Sequence, residues 1–273
     1  MDSDSMLELA YSLLDEQNID EAIKWFKKSA ELGNKDAMYE LAVISLKYEQ
    51  NESVALEWLK KYKDGDELEA MSYLAGLYRS DNPQKSFELY KEVSDKGGDC
   101  NYALGEMYQK GIGTEKNLQL AIKYFEKQAQ IENFTDVRDE YSKYDAMLKI
   151  AEIYISLKDE KSALEWLTRR NDGNKIFGMS ELAHIYYGDD EFEYEDTNLI
   201  DKAKALEWFK KLYELKDSHG AYYYGEMLES SSKSKALQIY EEGTKFGSEL
   251  CFRRVIQLYL EDGNIIEAAR WSV

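Results

Sequence analysis

Small and apolar residues return along this chain at the first, fourth, fifth and eighth positions of successive windows, the spacing that lines one face of a helix. Met71-Leu74-Ala75-Tyr78, Met147-Ile150-Ala151-Tyr154 and Met179-Leu182-Ala183-Tyr186 show it most clearly, with Met38-Leu41-Ala42 beside them. Met6-Leu9-Ala10-Leu13, Asn101-Leu104-Gly105-Tyr108, Ala221-Tyr224-Gly225-Leu228 and Phe252-Val255-Ile256-Tyr259 are weaker members. The Ala or Gly at the centre of this face lets a second helix approach closely. A second stripe follows each time: a small residue, then an aromatic or aliphatic pair three and four places on. Ala22-Trp25-Phe26, Ala55-Trp58-Leu59, Ala121-Tyr124-Phe125, Ala163-Trp166-Leu167 and Ala205-Trp208-Phe209 carry it. Ser86-Leu89-Tyr90 and Ala236-Ile239-Tyr240 are degenerate copies, and Ala268-Trp271 is cut short. The tryptophans keep the helical period, which assigns them to packing between units rather than to ligand stacking.

Self-similarity at a period of roughly thirty-odd residues marks stacked supersecondary units, none of which buries its apolar face alone. The pattern predicts an all-α chain of about eight antiparallel helix pairs, a single solenoid over residues 1–273. Its units lie near 5–34, 35–68, 69–98, 99–144, 145–176, 177–218, 219–249 and 250–273. Gly33, Gly65, Gly97-Gly98, Gly173 and Gly247 fall where second helices should stop, and Pro83 falls where one should start. Two units are long. Residues from about Gln130 to Lys143 lengthen the tail of the fourth, and Gly188 to Asp201 lengthen the loop inside the sixth pair. That second insertion, GDDEFEYEDTNLID, carries seven acids and no base, with Phe192 and Tyr194 among them. It reads as a binding loop or as an ordinary disordered one.

Charge narrows the partner class. Lys plus Arg number 35 against 54 Asp plus Glu, a formal charge of −19. Such a field repels phosphate backbones and anionic lipid, so neither nucleic acid nor membrane is an expected partner, and it attracts a basic protein or peptide. Surface acidity also serves solubility alone. The amino terminus lacks the basic start and apolar run of a secretory signal, and charges interrupt every apolar stretch before a membrane span is reached. The two cysteines, Cys100 and Cys251, sit in different units, too far apart for an internal disulfide, which fits a cytoplasmic protein. His184 and His219 belong to no Cys/His spacing that closes a metal site. Glu106 and Glu152, on adjacent first helices, stand nominally near the separation of an inverting glycosidase pair. With no nucleophile elbow, phosphate loop or metal cluster beside them, neither catalysis nor a cofactor is expected.

The fourth unit, YALGEMYQKGIGTEKNLQLAIKYFEKQA from Tyr102, resembles the Sel-one-like repeat (SLR) family through Leu104-Gly105, Tyr108, Gly111, Gly113, Ala121 and Tyr124. Residues 219 to 240, with Tyr224-Gly225 and Ala236, form a looser copy. Other units are shortened toward tetratricopeptide length, so that label stays open. Both resemblances imply antiparallel helix pairs in a right-handed α/α superhelical solenoid that serves as an adaptor, with the first helices lining its concave face.

One place after the small residue, the first-helix column reads Tyr11, Val43, Gly76, Glu106, Glu152, His184, Glu226, Gln257. From the fourth unit it is polar and mostly acidic, and Tyr102, Tyr187 and Tyr222 lie one turn away. Such a groove suits a basic helix or tail, with carboxylates for Lys or Arg and tyrosines for cation–π contact. A solvated helix face would look the same. The first three units make a less polar groove. At the far end, Trp271 is expected to lack a following unit and to promote self-association or meet a native partner, unless it packs against its own unit's first helix. The expectation is therefore a non-catalytic adaptor for a basic protein, with an immunity-type inhibitor of a toxin or nuclease as its specific variant. A carbohydrate-binding or carbohydrate-processing protein using the Tyr-and-Glu groove is the alternative.

Overall fold

The computed structural model describes residues 1–131, 137–188 and 197–271. Among these residues every regular element is helical, sixteen α-helices and one short 3₁₀ turn. The chain divides into two compact units, Met1–Gln128 and Ala129–Val273.

In the first unit the helices are α1 (Ser3–Asp15), α2 (Ile19–Glu31), α3 (Lys35–Lys47), α4 (Glu52–Tyr62), α5 (Glu67–Tyr78), α6 (Pro83–Asp95), α7 (Asn101–Lys110) and α8 (Leu118–Ala129). Each of α1 to α6 packs on the next helix in the chain. The predicted stripes form the seams. Ala10, Ala42 and Ala75 on first helices and Ala22, Ala55 and Ala121 on second helices are fully buried, and Phe26, Leu59 and Phe125 fill the space beside them. Burying each of these larger side chains contributes about 2 kcal/mol. At Gly105 the two helices of a pair approach closely: a Cβ there would stand 2.6 Å from the Phe125 ring.

The second unit contains α9 (Val137–Ser156), α10 (Glu160–Arg170), α11 (Lys175–Tyr187), the turn Thr197–Leu199, α12 (Lys202–Glu214), α13 (Ser218–Glu229), α14 (Lys233–Lys245), α15 (Glu249–Glu261) and α16 (Ile265–Trp271). Consecutive helices again pack in order, and α13 also meets α15. Ala151, Ala163, Ala183, Ala205 and Ala236 are fully buried, with Phe209 and Tyr240 beside them. Residues from Val137 onward extend the first helix of the fifth pair rather than the tail of the fourth, because no Gly or Pro between 137 and 156 stops the helix. In the other insertion, Leu199 is buried while Phe192 and Tyr194 lie outside the described residues.

Helix ends follow local chemistry. Pro83 is the first residue of α6, and Gly33 and Gly247 take φ of +89° and +86° just past second helices. Asn34, Asn51, Asp66 and Asn82 in the first unit, and Asp159, Asp201 and Asp217 in the second, accept backbone N–H bonds as N-caps. Each such cap is worth about 1 kcal/mol. Part of the acid excess therefore caps the amino-terminal starts of helices. The first helix of one pair is also pinned to the second helix before it. Tyr78 Oη donates to Glu52 at 2.9 Å and Tyr186 Oη to Glu160 at 3.0 Å. Burial, and then the facing carboxylate, push both hydroxyls up to about 12.

The tryptophans are packed, but not wholly inside. A cation one turn on covers each outer ring face: Lys28 over Trp25 at 3.9 Å, Lys61 over Trp58 at 4.2 Å, Arg169 over Trp166 at 4.1 Å and Lys211 over Trp208 at 3.7 Å. Trp271 is not left open as expected. It meets Phe252 of α15 edge to face, centroids 6.3 Å apart, and joins the apolar cluster around Val255 and Leu258. Ile265 and Ile266 are the exposed apolar residues of α16 instead.

Candidate functional site

The column that follows the small residue of each first helix does not stay uniformly open. In the first unit Tyr11 lays its ring against Phe26 and donates to Glu40, Val43 lines a groove, and Gly76 faces outward. Glu106 has a side chain only 14% exposed, paired with Arg79 at 2.9 Å and Lys110 at 3.5 Å. Tyr102 stands edge-on to Phe125 at 5.5 Å. The groove at Val43, about 520 Å³, runs between the carboxyl-terminal halves of α3 and α5 over Val43, Leu46 and Leu77. Lys47, Gln50, Asp81 and Asn82 complete its lining with Tyr78, so it is half polar, and of the three early column residues only Val43 belongs to it.

In the second unit Glu152 is 4% exposed and pairs with Lys149 at 3.2 Å. His184 is buried edge-on to Phe209 and Tyr223, at 5.2 and 4.6 Å. A cavity of about 260 Å³ near it is lined by Phe177, Glu181 and His219. Glu181 there is held by Arg170 and Asn171, and burial still raises its carboxyl. Tyr187 donates to Glu226 at 3.0 Å, and Lys202 lies 3.6 Å over its ring.

Three of the predicted residues come together. Tyr222, Glu226 and Gln257 line one groove of about 550 Å³ between α13 and α15, beside Glu229, Tyr240, Arg254 and Glu261. Both helices end at this groove, and their carboxyl-terminal poles add partial negative charge to it. Its floor is an ordered ionic network. Arg254 forks onto Glu229, with Nε 3.0 Å from Oε2 and Nη2 on Oε1, and gives Nη1 to Glu261 at 3.1 Å. Tyr240 Oη adds a bond to Glu229 at 3.1 Å. The Arg254 bonds hold the Glu229 carboxyl below its usual value, whereas burial and then Glu226 raise the Tyr222 hydroxyl. The three carboxylates Glu226, Glu229 and Glu261 exceed the two cations Arg254 and Lys233 by one charge.

Sequence reading missed Arg254, Glu229, Tyr240 and Glu261. Arg254, Gln257 and Glu261 share one face of α15 by helical spacing, a signal that was available. Glu229 likewise shares the α13 face of Tyr222 and Glu226 by helical spacing, whereas Tyr240 is brought to the groove only by the packing of α13 on α14. No cluster of His, Cys, Asp or Glu among the described residues is able to hold a metal ion. No described helix is long and apolar enough to cross a membrane.

Five segments, residues 3–34, 35–61, 68–97, 98–130 and 178–217, match the Sel1 repeat, together more than half of the chain. The chain belongs to the Sel1 repeat family. Sel1 repeat proteins are generally non-catalytic scaffolds for protein–protein interaction. Among solved structures, this Sel1 repeat chain is similar to the SLR-fold protective antigen of uropathogenic Escherichia coli, with 19% identity and a TM-score of 0.41. That match covers 98% of this chain and 60% of the antigen. A Sel1 repeat protein from Oxalobacter formigenes is 17% identical, with a TM-score of 0.39, over 94% of this chain and 76% of that one. No curated protein matches the sequence.

Proposed function

We propose that this Sel1 repeat chain is a non-catalytic adaptor that binds a basic segment of another protein along its first-helix face, with the α13–α15 groove as the anchor. The observation that carries this reading is the groove itself, where three carboxylates and two helix carboxyl-terminal poles outweigh two cations beside the ring of Tyr222. The −19 charge of the chain brings a basic partner in at long range. An immunity-type inhibitor that covers a basic toxin or nuclease is the variant such a surface suits. Glu106 and Glu152, tied to their own cations, contribute little to it; Glu226 and Gln257 contribute most. Two buried, unlinked cysteines accord with work in a reducing cytoplasm.

The test is fluorescence anisotropy of a labelled arginine–serine repeat peptide and of its citrulline counterpart. The arginine peptide should bind, weaken steeply with salt, and lose roughly tenfold in affinity, about 1.4 kcal/mol, in Glu226→Gln. Glu249→Gln, which removes the same charge from an exposed position on α15, should behave as wild type. Equal binding of both peptides, or equal loss in the two variants, refutes the groove. Salt-independent binding of a neutral oligosaccharide, sensitive to Tyr222→Ala, would favour the carbohydrate reading instead.

A further inference from the structure

The α13–α15 groove already contains a guanidinium. Arg254 makes a fork on Glu229 and a third bond to Glu261, the geometry by which a carboxylate site recognises an incoming arginine. The site is built around that group: Tyr240, fully buried, fixes Glu229 from the other side. Lys233 reaches the same rim, 2.5 Å from Asp262 and 3.7 Å from Glu261. Only Glu226 among the groove carboxylates has no cation on it among the described ion pairs; its described bond is from Tyr187. The best-formed guanidinium seat is therefore filled by the protein's own side chain.

Resting on the reading that this groove takes a basic segment, we infer that Arg254 is a resident cation that occupies the seat of a partner's arginine and sets the affinity of the groove. Its side chain is 21% exposed, so rotation about its own torsions carries the guanidinium to solvent without disturbing α15. A partner arginine then takes the same fork on Glu229 and the same bond to Glu261. The exchange replaces like with like. Binding is weakened by the displaced contacts, and only segments with further contacts beyond the groove hold well. An isolated basic side chain is rejected although the chain as a whole is acidic.

The prediction runs against simple truncation logic, because removing a groove side chain should tighten binding. Arg254→Met keeps the apolar stem and frees Glu229 and Glu261; affinity for the arginine–serine peptide should rise roughly tenfold, the scale of one freed bidentate contact. Arg254→Lys keeps the charge but not the fork and should give a smaller rise. The control is Arg253→Met. It makes the same change in net charge one residue away, where the side chain is 71% exposed and paired with Glu249, and should leave affinity within about twofold. Wild-type or weaker binding by Arg254→Met with native helicity, or an equal rise in Arg253→Met, overturns the inference. If Arg254→Met loses its helicity, Arg254→Lys decides alone, a rise supporting the resident cation and no rise refuting it. Wild-type binding that falls in Glu226→Gln yet never rises in either Arg254 variant would defeat the resident cation and leave the groove reading standing. Absence of peptide binding in wild type and both variants defeats the groove reading as well. Binding seen only once Arg254 is replaced supports both.

Discussion

Replacing Gly225 by alanine puts two opposing effects at one atom. In a helix interior the change is favourable by roughly 1 kcal/mol, since glycine has the greater conformational freedom to lose. A Cβ at Gly225, however, would stand 2.5, 2.8 and 2.9 Å from Cε1, Cδ1 and Cζ of Tyr240. The ring has to retreat by about 1 Å to restore ordinary contact, and it has nowhere to go. Tyr240 is fully buried, its hydroxyl is tied to Glu229 at 3.1 Å, and Tyr222 lies 6.1 Å away, centroid to centroid. Overpacking of this kind costs about 1–3 kcal/mol, and stretching a hydrogen bond to a carboxylate costs about 1 more. The expected balance is a net loss of about 1–3 kcal/mol. Gly76→Ala is the matched control on α5. There the nearest atom is the Tyr90 hydroxyl oxygen at 3.4 Å and the position is exposed, so propensity should win with a gain of roughly 0.5–1 kcal/mol. Because stacked repeats open locally, the assay is native-state hydrogen exchange resolved over α5, α13 and α14 rather than one melting temperature. Protection should fall in α13 and α14 for the first variant and rise in α5 for the second. A Gly225→Ala protein as stable as wild type would refute the close-packing argument.

Two further outcomes follow from the titrating groups. Tyr186 has its hydroxyl raised from 10.0 to about 12, so the folded state holds the proton more tightly than the unfolded chain; the resulting stability is complete below pH 10 and is lost as pH rises from 10 to 12. Alkaline difference absorbance of wild type against Tyr186→Phe should show a tyrosine ionising late, and ionisation near pH 10 would contradict the burial of this hydroxyl and its contact with Glu160. Burial likewise pushes the Cys100 thiol up to about 11 and raises that of Cys251, so neither should react with a thiol reagent at neutral pH until the protein is unfolded. Rapid labelling of the native chain would show that one of these sites opens.

The repeat was legible because its signal is periodic and local. Ala22 with Phe26 and Ala205 with Phe209 announce a seam wherever they occur, and the structure buries them all. The resemblance to the repeat family was carried by Leu104-Gly105, Tyr108, Gly111, Gly113, Ala121 and Tyr124, and two of these glycines sit where a side chain has no room: a Cβ on Gly105 would stand 2.6 Å from the Phe125 ring, and one on Gly113 1.9 Å from the Pro83 carbonyl oxygen. The site was legible only in part. Glu226 and Gln257 could be placed on a common column, with Tyr222 one turn away, by counting residues. Whether a carboxylate in that column stays available depends on which cation reaches it, and Arg79, some twenty-seven residues before Glu106, is invisible to helical spacing.

What the sequence determined by itself is the unit: two amphipathic stripes, their capping Asn and Asp residues, and the small positions that let helices touch. These are set by contacts three or four residues apart, which the local backbone geometry fixes. Tertiary packing decided the rest. It buried Glu152 and His184, covered Trp271 with Phe252, and left Ile265 and Ile266 outside. It also joined Glu229 of α13, Tyr240 of α14 and Arg254 of α15 into one network. The physical reason is range: an amphipathic pattern specifies which face of a helix turns inward, but the charge state of a groove depends on long side chains that cross from one helix to another.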